Sequence, residues 1–220
     1  MVFPSPWPLE TAQAGAIAFA DHLASIGKDL RVCHGTTDEL LEALALVGHN
    51  RRSGAVLDAA TAWFATGLGV FPILMERLGP LAVPRSEFGR IQEMVAHLNS
   101  MPDGETMTLT YQGGQYVQQV ITPEVQALRI EESQSRLAAI AEACTVESVV
   151  IPDELSAFGD RLLKAPFRDA FVPAVVARGR LLLDEDMMMR EWADQAFGTK
   201  GVWLQAVLFS ALQAGTMDRV

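Results

Sequence analysis

Short apolar runs that alternate with helical patterns constrain the fold of this chain more than any other feature. The runs cover residues 54–57, 80–84, 148–151 and 180–183, and apolar residues at helical spacing occur between them. Strands this short and this apolar are typical of a parallel sheet that helices cover on both faces. The sequence therefore predicts a single α/β unit that begins near residue 54.

An alternating pattern interrupts this unit near the middle of the chain. Met107, Leu109 and Tyr111 alternate with threonines, two glycines follow at 113–114, and residues 116–121 run back. Period-two alternation around a glycine turn indicates a β-hairpin. We expect the hairpin to be an insertion in the parallel-sheet fold.

Capping signals and apolar spacing locate several helices. Thr36 and Glu39 resemble a capping box, and Thr122 precedes a proline at the first position of another helix. Apolar spacing predicts further helices over residues 59–78 and 201–215.

The stretch before the α/β unit has a different character. Residues 1–8 are rich in proline, apolar spacing predicts a helix over residues 9–26, and a polar run at 49–54 marks a boundary. The sequence therefore predicts two parts, a mainly helical extension or connector over residues 1–53 and an α/β domain over residues 54–220.

Charge and cysteine content exclude several classes of protein. The chain has 17 Lys and Arg residues against 27 Asp and Glu residues, a formal net charge of −10, which excludes a wholly basic nucleic-acid-binding surface. The two cysteines form no CxxC motif, so neither a zinc ribbon nor a disulfide framework is indicated. The apolar stretches are too short to span a membrane, and the first residues do not resemble a secretory signal. We therefore expect a cytoplasmic protein.

Acidic residues directly follow two of the predicted strands. Asp58 comes after the first apolar run, and Asp184, Glu185 and Asp186 come after the last. Ligands gather at the carboxyl ends of parallel strands, so these side chains could face one crevice. Neighbouring carboxylates repel one another unless a cation lies between them, and their oxygens suit Mg²⁺ or Mn²⁺. A metal ion there could activate water for attack on a phosphodiester.

The same acids also allow a purely structural interpretation. Asp58 could cap the helix that follows it, and the three later acids could cap the next helix, where the helix dipole favours negative charge. Asp169, at the start of the helix before the last run, could face the crevice or act as another cap.

Four basic residues have two interpretations each. Arg190 stands four residues after Asp186, an ordinary ion-pair spacing within a helix, but it could instead contact a substrate phosphate. Arg161, Lys164 and Arg168 could line a path for a nucleic-acid backbone, or they could form a solvated face.

Four segments follow one another along the chain: AVLDAATA at 55–62, LAVPRS at 81–86, LLLDEDMMMR at 181–190 and VWLQAVL at 202–208. In this order they resemble the motifs of PIN-like domains. The hairpin and the final helix are similar to one bacterial subgroup, in which the domain accompanies tetratricopeptide repeats and a GreA/GreB-like segment. The resemblance covers residues 54–215.

The resemblance implies a Rossmann-like three-layer sandwich with a short parallel sheet and a ribonuclease activity that uses Mg²⁺ or Mn²⁺. Asp58 matches the first acid of the family's site, and Glu185 and Asp186 match its late pair. Asp169 is similar to the acid that precedes the late strand. All four residues are catalytic candidates, and Asp58, Glu185 and Asp186 are the candidate metal ligands.

One acid of the family's site has no direct match. PIN domains carry a glutamate in the helix after the second strand, and Arg90 stands near that position. Glu87 and Glu93 each lie about one turn away, and either could substitute. An arginine among metal-binding carboxylates would weaken cation binding.

Three functions are compatible with these features. The first is a metal-dependent ribonuclease whose RNA substrate contacts Arg190 or the basic group at 161–168. The second is an inactive PIN-like interaction module, with a protein partner, a fused upstream module or a second copy of the chain. The third is a phosphohydrolase for a small phosphate ester, but alanines follow Asp58, so the chain lacks the DxD motif of such enzymes.

Overall fold

A parallel sheet lies at the centre of the computed structural model, which describes residues 36–100, 106–112, 115–149 and 171–217. The strands are β1 (Ala55–Leu57), β2 (Leu81–Pro84), β3 (Thr106–Gln112), β4 (Gln115–Ile121), β5 (Cys144–Glu147), β6 (Leu181–Leu183) and β7 (Gly201–Val202). Five of them form the sheet in the order β5-β2-β1-β6-β7, and every pair is parallel. Strands β3 and β4 form a separate antiparallel hairpin, as the alternation predicts.

Helices connect the strands and cover the sheet. The described residues form eight: α1 (Thr37–His49), α2 (Ala59–Gly67), α3 (Phe71–Leu78), α4 (Arg85–Asn99), α5 (Pro123–Ala143), α6 (Val172–Val176), α7 (Met187–Phe197) and α8 (Leu204–Gln213). Thr36 and Glu39 form the predicted capping box of α1, and the Thr122 side chain caps α5. Within the described residues, no single helix has both the length and the apolar character needed to cross a membrane.

The sheet buries apolar residues on both faces, because successive side chains of a strand point to opposite sides. Leu57 and Leu183 belong to a large cluster with residues of α1–α5 and α8. Val56 and Leu182 belong to a second cluster with residues of α6 and α7. The predicted three-layer α/β architecture is therefore confirmed.

Helix α1 belongs to the same packed unit as the sheet, although it precedes the predicted boundary at residue 54. Its residues Ala43 and Val47 are buried in the cluster that contains Leu57. The helix predicted over residues 9–26 lies outside the described part of the chain, so the rest of the extension stays a prediction.

The single helix predicted over residues 59–78 is wrong. The structure has two helices, α2 and α3, whose axes differ by 120°. Gly69 between them has φ +66°, a left-handed conformation that glycine adopts readily and that ends a helix. Pro72 then lies in the first turn of α3, where its missing N–H leaves no helical bond unmade.

Two further boundaries differ from the prediction because the sheet fixes them. Pairing with β2 places β5 at Cys144–Glu147, directly after α5, and not at the start of the predicted strand at 148–151. Residues 148–149 form no strand, and residues 150–151 lie outside the described residues. The helix predicted over residues 201–215 begins only at Leu204, because residues 201–202 pair with β6.

Candidate active site

Asp58 and Asp184 lie side by side at the carboxyl edge of the sheet. Each directly follows the last residue of a strand, and those residues, Leu57 and Leu183, are paired in the parallel register. Neighbouring strands are about 4.8 Å apart, so the two aspartates start from adjacent points on this edge. Asp58 is 6% exposed and Asp184 is 5% exposed. The fold therefore buries two carboxyl groups next to each other.

Asp58 is oriented by the helix that follows it. Its Oδ2 accepts a hydrogen bond from the Ala60 N–H at 3.0 Å, and its Oδ1 accepts one from the Thr61 N–H at 3.1 Å. Burial raises the pKa of Asp58 and outweighs these hydrogen bonds, which lower it. Asp58 thus caps α2, as the structural interpretation expects, but the cap does not offset its desolvation.

Asp184 is in a still less favourable position for a charge. Burial, and then the negative charge of Asp58, hold the pKa of Asp184 well above its ordinary value. Its Oδ1 accepts a hydrogen bond from the Asp186 N–H at 2.8 Å, which orients the side chain. Asp186 adds a further negative charge near both buried aspartates.

Glu87 reaches the same region from α4. Its side chain is fully buried, and Oε2 accepts a hydrogen bond from the N–H of Ala59, the residue after Asp58, at 3.2 Å. The Arg90 guanidinium lies 3.4 Å from Oε1 of Glu87. Glu93, by contrast, is exposed. Of the two glutamates considered, the structure brings Glu87 beside Asp58.

Glu185 and Asp186 bind the first turns of two helices. Oε1 of Glu185 accepts a hydrogen bond from the Leu204 N–H, at the start of α8, at 2.7 Å. Oδ1 of Asp186 accepts one from the Met188 N–H at 2.9 Å and so caps α7. Burial raises the pKa of Glu185. Glu185 therefore ties the turn after β6 to α8.

Arg190 packs against the turn at 184–186 and is 8% exposed. Its Nη1 donates a hydrogen bond to the Asp184 carbonyl oxygen at 2.6 Å, and its guanidinium carbon is 4.9 Å from the centre of the Trp203 ring. Gly201 makes this position available, because a Cβ there would lie 2.7 Å from Cγ of Arg190. The structure thus places Arg190 against the backbone of Asp184.

Four other predicted site residues belong to the segment before α6. Asp169, Arg161, Lys164 and Arg168 lie outside the described residues. Asp184 was not among the residues that the family resemblance selected. Its signal in the sequence is its position directly after three leucines, which parallel pairing brings level with the run before Asp58.

The chemistry of the Asp58–Asp184 pair fits a hard divalent cation. Two buried carboxylates repel each other, and a cation between them would relieve both the repulsion and the desolvation. Mg²⁺ commonly binds through one or two carboxylates and completes its shell with water. Among the described residues, no group of three or more His, Cys, Asp and Glu side chains is arranged to hold a metal ion. Water would have to supply most of the remaining ligands.

Comparison with known families places this site in a wider context. Residues 56–195 match the family described as the PIN domain associated with the TPR-GreAB-C-PIN system. The chain belongs to this PIN-domain family. The match covers Asp58, Glu87 and the turn at 184–186, so it includes the acidic residues at the carboxyl edge of the sheet. A PIN domain indicates either a nuclease-like role or a role as a PIN interaction module. No curated protein and no solved structure gives a significant match.

Proposed function

We propose that this PIN domain hydrolyses RNA phosphodiester bonds with Mg²⁺ or Mn²⁺ held by Asp58 and Asp184. The observation that carries the proposal is the burial of two adjacent, mutually repelling carboxyl groups at the carboxyl edge of the sheet. Such an arrangement destabilises a protein when no cation is bound, so it is typical of a functional site. The choice of RNA as substrate rests on the resemblance to PIN ribonucleases.

The ligand set proposed here differs from the one that the motif match implies. Asp184 takes the place of Glu185, because the charge of Asp58 acts strongly on Asp184, whereas the Glu185 carboxyl group extends to the first N–H of α8. Asp186 stays a candidate, because its charge acts on both buried aspartates. Asp169 stays a candidate from the sequence alone.

In this proposal, the residues of the chain position the carboxylates before substrate arrives. The N–H groups of α2 hold Asp58, and the Asp186 N–H holds Asp184. Arg190 holds the Asp184 backbone through its hydrogen bond to the carbonyl oxygen. When bound, the metal ion supplies an activated water and neutralises charge on the phosphate. Prior positioning means that little reorganisation is needed at the moment of reaction.

A cleavage assay on labelled single-stranded RNA, with Mn²⁺ or with EDTA, tests this function. We expect cleavage by the wild type with Mn²⁺ only, and a loss of at least about 100-fold in Asp184→Asn. Glu185→Gln is the matched control, because its amide oxygen can still accept the Leu204 N–H bond. Cleavage that survives EDTA, or equal rates in Asp184→Asn and wild type, would contradict the proposal.

A second candidate function is an interaction module without catalysis. The observation that favours it is the Arg90 guanidinium 3.4 Å from Glu87, since a cation there opposes metal binding. The family description, which names a TPR-GreAB-C-PIN system, supports a protein partner or fused module of that kind. A cytoplasmic location is part of this proposal. An assembly with a second copy of the chain is part of the same proposal.

The two functions differ in their response to divalent ions. A module without a metal site predicts an unchanged melting temperature in Mn²⁺, whereas a ligand that binds only the folded state raises it. Arg90→Gln tests whether the arginine charge is what opposes metal binding. If Arg90 merely weakens an otherwise competent site, this variant binds Mn²⁺ more tightly than the wild type.

A further inference from the structure

Arg85 lies at the carboxyl edge of the sheet, after the strand next to that of Asp58. It is the first residue of α4 and directly follows β2, the neighbour of β1. The register pairs Val56 with Ala82, so Arg85 emerges about one residue beyond the level of Asp58. A basic side chain therefore starts one strand away from Asp58 and two strands away from Asp184.

A hydrogen bond orients the Arg85 side chain. Its Nε donates to Oγ of Ser148, the residue that follows β5, at 2.8 Å. This bond uses one of the five N–H donors of arginine, and the Arg85 side chain is exposed. The guanidinium is thus held over the end of β5, which is about 10 Å from β1 at two strand spacings.

Helix stability does not account for an arginine at this position. The dipole of a helix disfavours a positive charge at its first residue, and in this chain Asp58 and Asp186 instead place acids at the starts of α2 and α7. The bond to Ser148 needs an N–H donor but not a positive charge, so the charge of Arg85 breaks a local rule of stability and is a candidate for function.

An exposed positive charge at this edge of the sheet would favour the binding of a phosphodiester. The chain has a net charge of −10, and the aspartates here would repel a phosphodiester. Two other arginines near this edge are engaged, because Arg190 is buried against the Asp184 carbonyl and Arg90 lies against Glu87. Arg85 is exposed, and within the described part of the chain its side chain makes one hydrogen bond, from Nε to the Ser148 hydroxyl.

We propose that Arg85, oriented by Ser148, binds a backbone phosphate of the RNA strand next to the phosphate that is cleaved. The separation of about two strand spacings from β1 places this contact on a flanking phosphate. Contacts of this kind fix the register of a strand without reading its sequence. The inference rests on the proposed function, and it assigns a substrate contact to a residue that was not among the binding candidates of the sequence analysis.

Fluorescence anisotropy with a labelled ten-nucleotide oligouridylate tests this contact, with Ca²⁺ in place of Mn²⁺ so that a cation offsets the aspartates while cleavage is suppressed. Arg85→Gln is expected to weaken binding about tenfold, as for the loss of one hydrogen-bonded charge contact. The slope of log Kd against log salt should fall by about 0.7, the value for one phosphate contact on a single strand. Arg85→Lys should keep the salt slope because it keeps the charge.

The matched control is Arg51→Gln, which removes an exposed arginine before β1, at the opposite edge of the sheet. It should leave both the Kd and the salt slope unchanged. Equal binding by Arg85→Gln and Arg51→Gln would overturn the inference, and so would an absence of oligouridylate binding by the wild type.

A second readout separates this inference from the proposed function. Arg85→Gln should raise KM for RNA with little change in kcat, and it should leave Mn²⁺ affinity unchanged. Mn²⁺-dependent cleavage with an unaltered KM in Arg85→Gln would refute the Arg85 contact and leave the metal site standing. Arg85-dependent binding without Mn²⁺ affinity would refute the metal site instead.

Discussion

Gly201→Ala is expected to destabilise the protein by displacing Arg190. A Cβ on residue 201 would lie 2.7 Å from Cγ of Arg190, 3.0 Å from its Cβ and 3.1 Å from its Cδ. Those atoms are at the base of the arginine side chain, so rotation of its flexible end cannot relieve the contact. Arg190 must therefore leave the Asp184 carbonyl and the Trp203 ring.

The magnitude follows from the two interactions that Arg190 loses. A hydrogen bond from a charged group contributes about 1.5–3 kcal/mol. A buried cation–π contact contributes about 0.5–2 kcal/mol. Part of each is recovered as the arginine becomes solvated, so we expect the free energy of unfolding to fall by about 2–4 kcal/mol.

Urea unfolding followed by circular dichroism measures this loss. Gly89→Ala is the matched control, because nothing lies within 4 Å of a Cβ at that helical position, and it should stabilise the protein by about 0.5–1 kcal/mol. In an Arg190→Ala background, Gly201→Ala should lower the free energy of unfolding far less than it does in the wild type. A loss below about 1 kcal/mol, or equal losses in both backgrounds, would refute the proposed role of Gly201.

Three further predictions concern stability and reactivity. Burial and Asp58 raise the pKa of Asp184 above 3.8 in the folded protein, so metal-free stability falls as pH rises from about 4 through the folded pKa. Asp184→Asn should therefore increase the free energy of unfolding at neutral pH, and a decrease in a urea titration at that pH would contradict the assignment. Thr36→Ala removes one half of the capping box and should lower the free energy of unfolding by about 1 kcal/mol in the same assay. An unchanged free energy would show that packing alone holds α1. Burial raises the pKa of Cys144 to about 12, so a thiol reagent should modify it only after unfolding, and rapid modification of the native protein would contradict its burial.

The sequence predicts the fold well where local signals and tertiary packing agree. The capping box at Thr36, the hairpin alternation and the start of α5 after Thr122 all rest on local hydrogen bonds or on side-chain period. The breaks in the pattern depend on partners distant in sequence. Residues 201–202 look helical by apolar spacing, but pairing with β6 makes them a strand.

The sequence predicts those residues of the candidate site that local signals identify, and it does not predict those that depend on contacts distant in sequence. Asp58 is found because it directly follows an apolar strand and precedes a helix. Glu87 cannot be chosen over Glu93 from spacing alone, since the choice depends on which side of α4 faces α2. Glu185 matches a motif, but its contact with Leu204 requires the register of β7 and the start of α8.

The central claim is that Asp58 and Asp184 hold a divalent cation, and Mn²⁺ titration by calorimetry tests it most directly. The wild type, Asp58→Asn, Asp184→Asn and Glu185→Gln should be titrated at neutral pH after treatment with EDTA and its removal. The account predicts Mn²⁺ binding in the wild type and in Glu185→Gln, and its loss in both aspartate variants. Absence of binding in the wild type, or binding that Asp184→Asn leaves unchanged, would contradict it.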